Sequence, residues 1–395
     1  MRTKSEIGTL EVTSVGTQFP AEVLEIARAT AEAVDAEGRF PSETFEALKA
    51  HGLLSFLVPG VYGGAGGSLA DAALHCQALG AACASSAMIL AMHHIQVASL
   101  VRHSAANGWH ADFLRHLQRD QLLLASVTSE EGVGGSIRTS SCALERDGDE
   151  FSVTKRGTAV SYGAAADALL LTARAHPAAQ KVDQVMVVID RSGLALERTS
   201  VWDAMGMRGT GTEAFVVTGR GSISQIVPAP FAEIAAATMT PVSHILWSAV
   251  WTGIAGDAVN RAWNFLRARR KPGETELPQG ALILAEAVEV LQMAEARLRT
   301  AIAGFEWDSN AAPNFAGAAF DNGLKTSVSE ACLHVAREAM TVCGFVGYAR
   351  SGEFSVARHV RDLTSAPLMI ANSRMRDGAA RLLMAQRPQI GLGSV

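Results

Sequence analysis

Met92-His93-His94 and Ser243-His244 each set an imidazole inside an apolar, helix-patterned run. A neutral histidine can abstract an acidified proton near pH 7, so both are candidate general bases. A second group of reactive types lies between them. Ser126 to Ser136 brings Glu130 and Glu131 next to Gly132, Gly134, Gly135 and Ser136. Glycines and small hydroxyls at the end of a strand let backbone N–H groups approach a flat polar ring or an anion. Three other chemistries are excluded. Gly63-Gly64-Ala65-Gly66-Gly67 follows no strand of the parallel type and has no acidic residue in a βαβ context, so it is not a dinucleotide or phosphate loop. Gly134-Gly135-Ser136-Ile137-Arg138 ends in arginine where a nucleophile elbow needs glycine. His75-Cys76 lacks metal-ligand spacing, and the five cysteines form no CxxC pair, so neither a metal nor a disulfide framework is expected.

Positioning these groups requires a layered chain. From Pro20 to about Leu124 the apolar residues fall at helical spacing, with Pro41-Ser42 opening one helix, Gly52 closing it, and a long small-residue helix over Leu69 to Ser86. From Leu122 the period shortens. Six β-rich runs follow: Leu122 to Val127, Ala143 to Arg146, Phe151 to Lys155, Ala168 to Ala173, Gln184 to Ile189 and Ala214 to Val217. Asp147-Gly148 is a hairpin signal in which both residues are expected at positive φ. After Pro230 the runs Ala249 to Arg270, Gly280 to Phe305 and Asn322 to Cys343 are each long enough to cross a bundle. The fold class is therefore α+β and mostly α. It comprises an N-terminal helical domain (1–121), a small central β-barrel or sandwich domain (122–230) and a C-terminal four-helix bundle (231–395).

Composition narrows the partners. Of 395 residues, 34 are Lys or Arg and 39 Asp or Glu, giving a formal charge of -5 and no field to attract a nucleic acid. The apolar window Ile245 to Ile254 is interrupted by Ser248, Thr252 and Gly253 and falls short of the roughly 18 residues of a membrane span. Met1 to Val15 lacks the apolar core of a secretion signal. A soluble protein of a reducing cytoplasm is expected, with no membrane partner.

Several motifs in this order resemble the acyl-CoA dehydrogenase superfamily over essentially the whole chain. Phe40-Pro41, His51-Gly52-Leu53-Leu54, Val58-Pro59 and Tyr62-Gly63-Gly64-Ala65-Gly66 are similar to its N-terminal signature. Ser126 to Ser136 stands where the family has T-E-P-x-x-G-S-D, and Ala159-Val160-Ser161-Tyr162-Gly163 where it has W-I-T-N-G. Met205 to Thr212 looks like its MG.RG..T turn, read first as structural. Arg269 to Gly273 resembles R-x-x-F-G, and Cys343 to Tyr348 the GG.G turn near the dinucleotide.

The resemblance implies FAD, with Val127, Thr128, Ser129, Gly135, Ser136, Ala159, Ser161, Arg269, Gln279, Gly344, Gly347 and Ser373 around it. It further implies a homotetramer or dimer in which the arginine reaches a neighbouring subunit's cofactor. Ala159 replaces an aromatic that normally packs on the ring, leaving extra room.

The resemblance also implies a reaction, removal of an α-proton and a β-hydride from an acyl thioester. Counted from Arg361-Asp362, the family's catalytic glutamate falls on Ile370, and an alternative position falls near Ser243-His244. Three readings follow. The first is a dehydrogenase of an unusual acyl thioester, carried by CoA or a carrier protein, with a displaced base among His93, His94, His244, Glu130 and Glu131. The second is a flavin-dependent monooxygenase hydroxylating carbon, nitrogen or sulfur, in which Ser136 and Ser161 serve the activated oxygen and His93-His94 roof the pocket. The third is a non-catalytic acyl-binding or partner subunit. An electron-transfer partner or flavin reductase accompanies the first two.

Overall fold

The computed structural model describes residues 19–134, 137–270, 275–305, 307 and 315–385. The helices are α1 (Ala21–Glu37), α2 (Ser42–Ala50), α3 (Leu69–Gly80), α4 (Ala84–His103), α5 (Trp109–Asp120), α6 (Phe231–Ile234), α7 (Thr240–Arg269), α8 (Ala281–Ala303), α9 (Phe315–Tyr348), α10 (Ala357–Thr364) and α11 (Asn372–Ala385). The strands are β1 (Leu124–Val127), β2 (Glu145–Asp147), β3 (Glu150–Val160), β4 (Ala168–Arg174), β5 (Gln184–Asp190), β6 (Leu194–Ser200) and β7 (Glu213–Ser222). The chain thus runs helices, sheets, helices, as the periodicity indicates.

The expected single helix over Leu69 to Ser86 is two, α3 and α4, broken at Ala81–Cys83. The break follows from how tightly α3 lies on α7. A Cβ on Gly80 would come 2.6 Å from Val250 O, and one on Gly253 would come 2.0 Å from Gln77 O. Backbone touches backbone at this crossing, and the chain then turns through bonds from Ala81 and Cys83 N–H back to Gln77 and Leu79 O. No proline marks the turn, so the apolar pattern runs straight across it.

The strands form two sheets, ordered β1-β4-β5 and β2-β3-β7-β6, which is the sandwich-like middle the alternation indicates. β1 pairs with β4 in parallel and the other pairs are antiparallel. The sequence reading missed β6. It is an edge strand with mostly exposed side chains, so it carries no apolar alternation. The hairpin at Asp147-Gly148 forms, but Asp147 pairs with Glu150, leaving Gly148 and Asp149 as the central residues. Only Gly148 has positive φ, 59°, so the expected pair of positive-φ residues is one glycine.

The core runs through all three layers. α4 is long and apolar enough to cross a membrane, yet 89% of its apolar window is buried inside the protein. It is a central core helix. The first half of α7, including Ile245 to Ile254, is buried all round. One knot ties the layers together. Met207 N donates to Asp362 Oδ1 at 2.6 Å, Arg208 Nε to Asp35 O at 2.7 Å, and Arg361 pairs with the Asp35 carboxylate. Gly206 is required there, since a Cβ would lie 2.2 Å from Arg361 O. The Gly206 to Arg208 part of the Met205 to Thr212 turn has this structural role.

Candidate functional site

The residues assigned to the ring lie on two parts of the fold, the sheets and the rear helices, which are joined where Arg374 donates to Gly134 O. On the sheet side, Val127 is buried at the end of β1 and leads into half-buried Thr128 and Ser129. The Ser129 hydroxyl donates to Ala159 O at 2.9 Å and accepts from Ala159 N at 3.0 Å. It therefore clamps the loop after β1 onto the irregular end of β3, where register shifts between Gly157 and Val160. Ala159 is exposed beside this clamp.

Ser161 heads a chain of hydroxyls. Thr210 Oγ1 donates to Met207 O at 2.8 Å, so its one hydrogen is used. Thr212 Oγ1, 2.9 Å away, must donate to Thr210, and Ser161 Oγ, 2.9 Å from Thr212, must donate to Thr212. Ser161 is left facing the site with lone pairs only. Thr210 and Thr212 were not named as site residues from sequence; the signal was the terminal threonine of the MG.RG..T motif. Tyr162, at φ 43°, holds the turn by bonding Leu124 O at 2.9 Å through its hydroxyl and Thr210 O at 2.8 Å through its N–H.

On the helical side is Ile370, the residue on which counting from Arg361-Asp362 puts the expected carboxylate. It lies between α10 and α11 at φ 49°. Its carbonyl accepts from Lys325 Nζ at 2.9 Å, and the same ammonium donates to Asn372 Oδ1 at 2.7 Å. Asn372 in turn donates to Ser329 Oγ and Glu330 Oε1, both at 3.0 Å. Burial pushes the Lys325 ammonium down to about 8. Ser373 is exposed on the first turn of α11. Its neighbour Arg374 donates to Gly134 O, joining the rear helices to the glycine loop. Gly135 and Ser136, the other residues of that loop assigned to the site, lie outside the described residues.

The histidines differ in what their nitrogens do. His93 Nδ1 accepts from Leu124 N at 3.0 Å, so its Nε2 carries the hydrogen and donates to Leu54 O at 2.6 Å. It braces α4 against β1 and the turn after α2, and burial pushes it down to about 4. His94 is fully buried with neither nitrogen bonded among the described residues, and burial holds it well below its usual range. His244 Nδ1 bonds the carbonyl of Asp321 at 3.0 Å, so Nδ1 holds the hydrogen and Nε2 presents a lone pair. Burial, then the Lys325 charge, lowers it to about 4. Asp321, which the sequence reading did not single out, has its carboxyl raised by burial to about 6.

The two glutamates are spent elsewhere. Glu130 accepts from Ser141 N, Cys142 N and Ser140 Oγ and lies 3.6 Å from buried Lys155. Glu131 is exposed and paired with Arg156.

The residues assigned to the dinucleotide lie at the far end of the bundle. Arg269 ends α7 with its guanidinium 4.2 Å from the Phe265 ring centroid and no ion pair among the described residues. Gln279 is exposed just before α8. Gly344 breaks α9 at φ 59°, ψ -141°, which only glycine adopts readily, and a Cβ on Gly347 would lie 2.5 Å from that of Cys343. These features fit a flavin dinucleotide: small residues and hydroxyls for a ring, a cation with no counter-ion among the described residues, and backbone bare enough to meet phosphate.

Residues 18–145 match the family described as acyl-CoA dehydrogenase, N-terminal domain, and residues 235–369 match acyl-CoA dehydrogenase, C-terminal domain. The cyclohex-1-ene-1-carbonyl-CoA dehydrogenase of Syntrophus aciditrophicus (strain SB) is 25% identical over 346 residues, covering 86% of this chain and 81% of that protein. Among solved structures, FMN-bound TdsC from Paenibacillus sp. A11-2 superposes with TM-score 0.78 at 21% identity, over 93% of this chain and 96% of its own. TdsC is a dibenzothiophene monooxygenase. A glutaryl-coenzyme A dehydrogenase complex superposes with TM-score 0.79 at 19% identity, over 93% and 94% of the two chains. At these identities the superpositions speak for the fold alone. By the two domain matches and the motifs that carry them, the chain belongs to the acyl-CoA dehydrogenase superfamily of flavin-dependent oxidoreductases.

Proposed function

We propose that this chain is a flavin-dependent monooxygenase of the superfamily, hydroxylating a small substrate held between the sheets and the rear helices. The observation that carries this reading is Ile370. α,β-Dehydrogenation starts with an α-proton taken by a carboxylate set against the substrate, and the count from Arg361-Asp362 assigns that position to the alkyl side chain of Ile370, whose carbonyl bonds Lys325. His93, Glu130 and Glu131 are committed to other bonds. Hydroxylation needs no such base.

The flavin, FAD by family habit, supplies two-electron redox chemistry and reaction with O₂ when bound. Val127, Thr128, Ser129, Ala159 and Ser161 would face its ring, with Gly135, Ser136 and Ser373 nearby. Arg269, Gln279, Gly344 and Gly347 would serve the dinucleotide of a second copy. Exposed Phe345 (92%) and Tyr348 (69%) next to that turn support a homotetramer or dimer. A flavin reductase would be the electron-supplying partner. Ser161, with its hydrogen committed to Thr212, offers only an acceptor.

A second reading, dehydrogenation of an unusual acyl thioester, is favoured by one feature: Asp321, whose carboxyl burial raises to about 6 and whose backbone carbonyl bonds His244 Nδ1. Two assays separate them. Substrate-dependent hydroxylation with NADH, a reductase and O₂ supports the first; anaerobic bleaching of the bound flavin by an acyl thioester would replace it with the second.

A further inference from the structure

Four polar groups on one face of α7 are buried without a hydrogen-bond partner among the described residues: His244 Nε2, Trp247 Nε1, Ser248 Oγ and Trp251 Nε1. Their spacing is that of a single helical stripe. The rings follow one another, His244 to Trp247 at 6.1 Å between centroids and Trp247 to Trp251 at 6.4 Å. Lys325 Nζ lies 5.8 Å from the Trp251 centroid and bonds Ile370 O, so the stripe continues into the place of the missing carboxylate. All four side chains are at most 9% exposed.

An unpaired buried polar group is destabilising, so four on one stripe call for an explanation that a bound polar group would supply. Their chemistry specifies the ligand. His244 Nε2 is an acceptor, because Nδ1 holds the hydrogen on Asp321 O. The two indole N–H groups are donors only. A hydroxyl is the simplest group that satisfies both, donating to the imidazole while its oxygen accepts from an indole. A carboxylate would leave Nε2 unpaired, and a simple ether would repel it. The flat indole faces suit a planar ring.

The geometry points to a substrate subsite for a hydroxylated aromatic ring, a phenol, anchored by His244 on one side of its oxygen and by Trp247 or Trp251 on the other. This substrate class rests on the monooxygenase reading above, while the subsite itself can be tested apart from it.

The test is equilibrium dialysis of the flavin-loaded protein against 2-naphthol and 2-methoxynaphthalene. The subsite predicts 2-naphthol bound at least about tenfold tighter, since a site built to bond a hydroxyl rejects its capped analogue. His244→Phe and, separately, Trp251→Phe should each bring that ratio close to one while visible flavin absorbance per chain stays unchanged. Equal binding of the two probes, absence of 2-naphthol binding, or a ratio unmoved in both variants would overturn the subsite. A protein that prefers 2-naphthol but yields no hydroxylated product with reductase and O₂ keeps the subsite and loses the monooxygenase reading.

Discussion

Lys325 Nζ donates to Ile370 O at 2.9 Å, so a buried cation on α9 holds the backbone at the place where a catalytic carboxylate was expected. Ile370 sits at φ 49°, a region a β-branched side chain enters only when its surroundings impose it. The same ammonium bonds Asn372 Oδ1 and so fixes the start of α11. Lys325→Met keeps the stem and removes both bonds, leaving the Ile370 carbonyl without its ammonium donor and Asn372 Oδ1, among the described residues, with only the long bond from Ser329 Oγ at 3.4 Å. A loss of about 2–4 kcal/mol is expected, read as a lower urea midpoint at unchanged slope.

Ile370→Glu introduces the carboxylate that the resemblance leads one to expect, in a segment whose carbonyl, not its side chain, makes the hydrogen bond to Lys325. Its carbonyl stays available to Lys325, and the side chain is 38% exposed, so a carboxylate fits without large repacking. Flavin content per chain, measured by visible absorbance, should remain at the wild-type level. Loss of flavin would mean that this segment lies elsewhere relative to the ring.

Much of this architecture is legible in the sequence because its causes are local. Period changes near Leu122 and Pro230 locate the sheets, and Gly52, Gly148 and Gly344 sit at backbone positions that need glycine. What stays hidden depends on distant partners. The end of α3 is set by Gly80 meeting Val250 O, and β6 is an edge with no apolar alternation. His93 and His94 are adjacent in sequence with identical side chains, yet among the described residues one is braced at both nitrogens and the other at neither. Asp321 carries no motif, and it enters the site only because α9 packs on α7. The direction of the Ser161 hydrogen follows from Met207 O, two residues beyond the nearest hydroxyl partner in the chain of bonds.

The two histidines of α4 should respond in opposite ways. His93→Leu strands the Leu54 carbonyl and the Leu124 N–H, and should cost about 2–4 kcal/mol. His94→Leu removes an imidazole with no partner among the described residues and should be neutral or stabilising by about 1 kcal/mol. Denaturation midpoints of the pair decide this, and a large loss in His94→Leu would show that its nitrogens are engaged.

Thr212→Val cuts the hydroxyl chain between Ser161 and Thr210. Ser161 then has a hydrogen to give to the proposed flavin, stabilising negative charge on the reduced ring. A hydrogen bond worth 0.5–1.5 kcal/mol corresponds to about 10–30 mV for two electrons, so the midpoint potential should rise by that order. Thr212→Ser preserves the chain and should leave the potential where it was.

Asp362 gives the fold a pH dependence of defined sign. Burial raises its carboxyl to about 6, outweighing the bond from Met207 N and the nearby Arg358. In the unfolded chain an aspartate titrates near its ordinary value, about 3.9. Below that value both states hold the proton and the contribution to stability is complete. As pH rises toward 6 the unfolded chain releases its proton while the folded protein retains it, so stability falls and then levels off above the folded value. Asp321, also raised to about 6, adds a second loss in the same window. Asp362→Asn keeps an acceptor for Met207 N–H and removes the ionisation. Its urea midpoint should fall less than wild type's between pH 4.5 and 7.5, by a difference on the order of 1–3 kcal/mol. Equal falls in the two proteins would place the Asp362 carboxyl in its ordinary range.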